Sequence, residues 1–146
     1  MAFETEHKYL VVNSDYEKMA TKVISLAQGY LSRDPERTVR IRIADDKAYL
    51  TVKGRNHGDT RLEFEYEVPV EDARVMLGLC EGRIIRKRRY IVPFEGMVWE
   101  VDRFEGELEG LTVAEIELPQ SNCKYALPPF VGEEVTGNPA YYNSML

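Results

Sequence analysis

Apolar and polar residues alternate with a period of two along most of this chain, and two segments depart from it with a period nearer 3.6. FETEHKYLV (3–11) puts Glu4, Glu6 and Lys8 on one face of a strand and Phe3, Thr5, His7, Tyr9 and Val11 on the other. Seven further short runs, rich in β-branched and aromatic residues, have the same character: QGYLS (28–32), RTVRIRIA (37–44), KAYLTVKG (47–54), TRLEFEYEV (60–68), GRIIRKRRYIV (82–92), MVWEVDRF (97–104) and LTVAEIEL (111–118). Turn chemistry such as DD, NHGD and EG separates them. The helical exceptions are DYEKMATKVISLA (15–27), with Tyr16, Met19, Ala20, Val23 and Ile24 on one stripe after Ser14 or Asp15 as N-cap, and PVEDARVMLGLC (69–80). The second has Pro69 near its start, acids in its first turn, Ala73, Val75, Met76, Leu77 and Leu79 for burial, and an end near Gly82. Eight strands at short spacing predict antiparallel pairing into a closed or nearly closed β-barrel with flanking helices, a mainly β (α+β) fold.

The polar faces of these strands are sorted by sign. Arg40 and Arg42 share a face, as do Lys53 and Thr51 on the next strand. Glu63, Glu65 and Glu67 share another, then Glu100 with Asp102, and Glu115 with Glu117. GRIIRKRRYIV is ambiguous, because Arg86 and Arg88 compete with Lys87 and Arg89, yet either face is basic. On one strand alone a solvated face is the ordinary explanation. Taken together, like charges about 7 Å apart along each strand repel unless something opposite lies between them. A barrel with its charged face inward and its apolar face outward, partly covered by the helices, meets that need. Guanidinium forks and ammonium groups suit a phosphate-rich anion, and carboxylates suit hard cations, Mg²⁺ or Mn²⁺.

Composition limits the alternatives. The 146 residues, 44% apolar and 30% charged, suffice for a single domain (1–146) burying about two thirds of its unfolded surface. No run of 18 apolar residues and no signal-peptide core is readable, so a cytoplasmic protein is expected. Cys80 and Cys123 lack a pairing or zinc pattern and read as reduced, structural thiols. A net charge of −6 argues against broad attraction to nucleic acid or membrane. The expected partner is a small phosphate-rich anion, with no membrane and no nucleic acid; monomer or homodimer is left open.

ExExK at Glu4 to Lys8 resembles the opening motif of the CYTH superfamily, the triphosphate tunnel metalloenzymes. VRIR (39–42), YLTVKG (49–54), RLEFEYEV (61–68), KxRY at Lys87 to Tyr90, WEVDRF (99–104), AEIEL (114–118) and VTGNPAYYNSML (135–146) are similar, in order, to segments of its short bacterial members. The resemblance implies an eight-stranded tunnel that binds a triphosphate through inward bases and one or two divalent metals through inward acids. It assigns the principal metal to Glu6, Glu115 and Glu117. Glu4, Glu63, Glu65 and Asp102 become candidates for a second metal or for orienting the attacking water. It assigns the phosphates to Arg40, Arg42, Lys53, Lys87 and Arg89, choosing Lys87 and Arg89 over Arg86 and Arg88. Lys8 is a phosphate ligand or an acid or base, and Tyr30 is a proton acceptor or a wall tyrosine.

Similar tunnels hydrolyse tripolyphosphate or thiamine triphosphate, cyclise ATP, or remove RNA 5′-phosphates. The short chain leaves little sequence for a nucleobase pocket, which favours a Mg/Mn-dependent hydrolase acting on tripolyphosphate. A class IV-type adenylate cyclase and a non-catalytic polyphosphate or nucleotide binder are the alternatives. His7 reads as an outward histidine and Trp99 as core. The tail, with Asn138 as N-cap and Pro139 following, reads as a short helix across one tunnel mouth or a packed tail.

Overall fold

The computed structural model describes residues 3–146. Its strands are β1 (Phe3–Val11), β2 (Lys22–Ser32), β3 (Arg37–Ala44), β4 (Lys47–Gly54), β5 (Thr60–Val68), β6 (Glu81–Phe94), β7 (Met97–Phe104), β8 (Thr112–Glu117) and β9 (Val131–Glu134). Two α-helices, α1 (Tyr16–Met19) and α2 (Val70–Leu77), and three 3₁₀ turns complete it. The strands run in the order β5-β4-β3-β2-β6-β7-β8-β1, and β1 returns to β5, closing an eight-stranded barrel. Every pairing is antiparallel. The seam is short: Phe3, Glu4 and Thr5 face Leu62, Arg61 and Thr60, after which β9 takes over the same edge of β1 at Tyr9 and Val11.

Two helical expectations change. The helix expected over 15–27 is one turn, Tyr16–Met19, and Val23 and Ile24 lie in an eleven-residue strand. Thr21, Val23 and Ile24 are β-branched and stiff at χ1, and β2 gains ladders on both sides, Leu26 facing Lys87 on β6 and Ala44 on β3. The strand was hidden because both its faces are largely apolar. At Gly29 its outer face must be small, since a Cβ there would stand 2.8 Å from the Cys80 Sγ. The second helix stops at Leu77 with Gly78 at its C-cap, rather than near Gly82. It buries Ala73 against Ile41 and Ala48, with Met76 and Leu77 packed alongside, while Val75 and Leu79 point outward, 71% and 70% exposed.

The main apolar core lies outside the barrel. Tyr9, Val92, Trp99, Val101, Ala114 and Ile116 project from the outer faces of β1, β6, β7 and β8 and pack under Tyr16, Leu118 and Phe130. Inside, one end is apolar: Tyr30, Ile85, Phe104 and Val113 cluster with Leu10 and Leu146. The remaining interior is polar and mostly charged.

Candidate functional site

Alternation along each strand delivers the charged interior. On β1, Glu4, Glu6 and Lys8 point inward; on β8, Glu115 and Glu117; on β3, Arg40 and Arg42; on β4, Lys53; on β5, Glu63 and Glu65; on β6, Arg89. These side chains and Tyr30 border one cavity of about 240 Å³. Twelve of the fourteen residues nominated from sequence therefore meet there. The other two, Lys87 and Asp102, are inward but fully buried behind Arg89, and do not border the cavity. Asp102 accepts two hydrogen bonds from Arg89, at 2.8 Å from Nε and 2.9 Å from Nη2, and its Oδ2 lies 2.7 Å from the Lys87 Nζ. Lys87 in turn sits 5.2 Å from the centre of the Phe104 ring. This pair occupies the floor beneath a guanidinium rather than the cavity wall. Arg86 and Arg88 face outward, so Lys87 and Arg89 form the inner face of β6.

Acids and bases interlock across the cavity. Lys53 Nζ lies 2.9 Å from Glu4 and 3.3 Å from Glu63. Lys8 Nζ lies 3.3 Å from Glu115, Arg89 Nη1 3.3 Å from Glu100, and Arg40 and Arg42 reach Glu65 at 3.4 and 3.6 Å. The Thr51 hydroxyl donates to Glu65 at 2.9 Å. Register explains the grouping of acids, since Glu6 faces Glu117 across the β1–β8 ladder and Glu115 faces Glu100 across the β7–β8 ladder.

Proton affinities report the crowding. Burial, with Glu115 and Glu4 adding to it, raises Glu6 well above the ordinary carboxylate range. Burial and the hydrogen bond with Glu4 push Glu63 up to about 7. Glu4 is drawn down to about 2, because Glu63 and Lys53 outweigh its burial, so this pair shares one proton near neutrality. Glu117 is raised by burial, then by Glu4 and Glu100; Glu100 is raised by burial and Glu115 in spite of Arg89. Glu115 goes the other way, since Lys8, Arg89 and Lys87 outweigh its burial and hold it well below the usual value. Burial lowers Lys87 to about 8 and, with Arg40 and Arg89, lowers Arg42 to about 10.

Among the described residues no three carboxylates already form a metal cage. The donor chemistry nonetheless fits a hard divalent cation. Glu6 and Glu117 face each other across the β1–β8 ladder, and both resist carrying charge, Glu6 through burial with Glu115 and Glu4 nearby and Glu117 through burial with Glu4 and Glu100 nearby; a cation among these acids relieves that cost as a proton does.

A family model for the CYTH domain matches residues 2–142. The chain belongs to the CYTH domain family. An inorganic triphosphatase of Acetivibrio thermocellus is 49% identical over 147 residues, covering 100% of this chain and 94% of that protein. An inorganic triphosphatase of Nitrosomonas europaea is 31% identical, covering 98% and 95%. A crystal structure of an inorganic triphosphatase, 28% identical, superposes with a TM-score of 0.68 over 99% of this chain and 94% of the other.

Several walls of this CYTH barrel went unnominated. Thr38 and Arg61 are two positions before Arg40 and Glu63 on their strands, and Glu100 two before Asp102, so the period-two pattern already contained them. Asn56, Asp59, Thr136, Tyr142, Asn143 and Ser144 come from loops and the tail, where no periodicity points inward. His7 is on the outer face as expected, its ring nitrogens 2.8 Å from Asp59 and 2.6 Å from the Tyr125 hydroxyl. Tyr30 borders the cavity and is 3% exposed, with Arg33 5.0 Å from its ring centre and Gln28 donating to its hydroxyl at 3.3 Å.

Proposed function

We propose that this protein is a divalent-metal-dependent triphosphatase that hydrolyses inorganic tripolyphosphate, with residues 1–146 acting as one CYTH domain. The observation that carries the reading is a single cavity with Arg40, Arg42, Lys53 and Arg89 set among Glu4, Glu6, Glu63, Glu115 and Glu117. Two aromatic residues border it: Tyr30, 3% exposed with Arg33 5.0 Å from its ring centre, and Tyr142, whose hydroxyl is held by Asn56 and the Gly137 carbonyl. The rest of the lining is almost entirely charged or polar, which favours a compact polyanion, tripolyphosphate, over the nucleotide of the adenylate cyclase alternative.

In this reading Arg40, Arg42, Lys53 and Arg89 clamp phosphate oxygens and stabilise charge that develops in the transition state. Asp102 fixes the plane of Arg89, and Lys87 lies behind both. This replaces the expectation that Asp102 ligates metal and Lys87 ligates phosphate. Glu6, Glu115 and Glu117 would hold Mg²⁺ or Mn²⁺, which when bound screens the phosphate charge and polarises the phosphorus–oxygen bonds. Glu4, with Glu63 and Glu65, orients water at the far wall. Lys8 neutralises oxygens between the two sets, and Tyr30 borders the same space. The free thiols of Cys80 and Cys123 fit a cytoplasmic location. A homodimer is compatible with this site, which needs no residue from a second copy.

The test is a parallel incubation with tripolyphosphate, ATP and thiamine triphosphate, with Mg²⁺, with Mn²⁺ and with chelator. Phosphate, pyrophosphate and cyclic AMP are measured. The expected result is metal-dependent phosphate release, fastest from tripolyphosphate and abolished by chelator. Cyclic AMP with pyrophosphate would reverse the assignment in favour of the cyclase, and tight binding without turnover would favour the non-catalytic binder.

A further inference from the structure

One end of the barrel, formed by the C-terminal ends of β1, β2, β4 and β7 and the N-terminal ends of the others, is crossed by residues 135–146. They leave β9 alongside β1, where the Val135 amide donates to the Lys8 carbonyl at 2.8 Å and the Lys8 amide donates to the Thr136 hydroxyl at 3.0 Å. Two 3₁₀ turns follow, the first with Asn138 at its N-cap accepting from the Ala140 amide. The strap is pinned around the rim. Lys8 Nζ donates to the Tyr141 carbonyl at 2.9 Å, Asn56 to the Tyr142 hydroxyl at 3.0 Å and Arg33 to the Ser144 carbonyl at 2.6 Å. Leu146 packs on the apolar cluster of Tyr30, Ile85, Phe104 and Val113. This end of the cavity is therefore a wall. In that wall Asn143 borders the cavity, and its side-chain carbonyl is buried without a hydrogen-bond partner among the described residues.

We propose that Asn143 is a specificity-determining residue: its side-chain amide hydrogen-bonds the inner end of a linear triphosphate, and the strap carrying it limits how long a phosphate chain the tunnel accepts. The inference rests on the triphosphatase reading. The buried carbonyl of this half-buried side chain is costly to leave without a partner, and a half turn about the last torsion exchanges it for an NH₂ donor. A terminal phosphate offers three non-bridging oxygens where an internal one offers two, so a donor in a blind end wall favours a chain end. A longer chain must leave its surplus phosphates on the open side, out of register with Arg40, Arg42 and Arg89.

The experiment measures kcat/KM of the full chain for tripolyphosphate, tetrapolyphosphate and a long-chain polyphosphate, for wild type, Asn143→Ala and Asn143→Asp, beside ligand-free melting. Wild type is expected to prefer tripolyphosphate. Asn143→Ala should lower kcat/KM for tripolyphosphate by roughly 10- to 100-fold, the range for losing a hydrogen bond to a charged group, while longer chains lose less, so the preference narrows. Asn143→Asp, nearly isosteric, should lose more on tripolyphosphate through repulsion. Equal losses at every chain length, a fall in melting temperature that accounts for the loss, or no loss at all would overturn the assignment of Asn143. A wild-type protein that hydrolyses none of the three overturns the triphosphatase reading itself, and this inference with it.

Discussion

On β7, Trp99 and Val101 face out and Glu100 and Asp102 face in, and three of the four are completely buried. Equal dryness has opposite energetics on the two sides. Outside, Trp99 packs within 5.7 Å, ring centre to ring centre, of Tyr9 and Tyr125, and removing that apolar area from water stabilises the fold. Inside, Asp102 is held by Arg89 and Lys87 at a desolvation cost that well-packed apolar residues would avoid. The outer face of β7 contributes stability, and the charged stretch of its inner face gives stability up to hold charge. Residue for residue, substitutions on the two faces should therefore fail in different assays.

The largest effect expected is on the outer face. Trp99→Ala should cost about 3 to 5 kcal/mol of unfolding free energy, read by denaturant titration, while folded molecules keep their turnover per active site. A loss below about 1 kcal/mol would mean the outer cluster is not the core. Next comes Glu117→Gln, which keeps shape and removes an inner charge assigned to metal. Turnover should drop about a hundredfold or more and recover in part as metal concentration rises, with melting unchanged or raised. Turnover that ignores metal concentration in both proteins would remove Glu117 from the metal site.

The smallest effect is on pH dependence. Glu63 titrates near 4.5 when unfolded and at about 7 when folded. Its folded form binds more protons between those values, so its stabilising contribution is complete below about pH 4.5 and lost as pH rises through 7. Glu6, Glu100 and Glu117 are raised as well. Ligand-free melting should fall by roughly 5 °C between pH 5.5 and 8, and saturating Mg²⁺ should flatten the slope. A melting temperature that rises over that interval would contradict the crowded-acid account.

The charged interior was legible because alternation and sign sorting are local: Glu63 and Glu65, or Arg40 and Arg42, declare a common face from spacing alone. What stayed hidden depended on partners distant in sequence. Val23 and Ile24 fit a helical stripe until ladders to β3 and β6 are known. β9 is four residues, VGEE, which became a strand only by pairing with β1. Asp102 alternates as a wall residue should, yet the reach of Arg89 draws it beneath the wall. Pro139 and Asn138 marked a turn in the tail, but nothing local told that Asn143 would border the cavity.

The central claim is that the inner face binds a triphosphate, and Arg40→Ala tests it most directly. Calorimetric titration of wild type and variant with tripolyphosphate in the presence of chelator, beside ligand-free melting, separates anion binding from metal chemistry and from folding. Wild type should bind, and the variant should bind more weakly by about 2 to 5 kcal/mol, because charge-assisted contacts in a sheltered cavity exceed exposed ones, while melting stays the same or rises. Equal affinity in the two proteins would mean that the basic face of β3 does not meet the anion, and the tunnel account would be wrong.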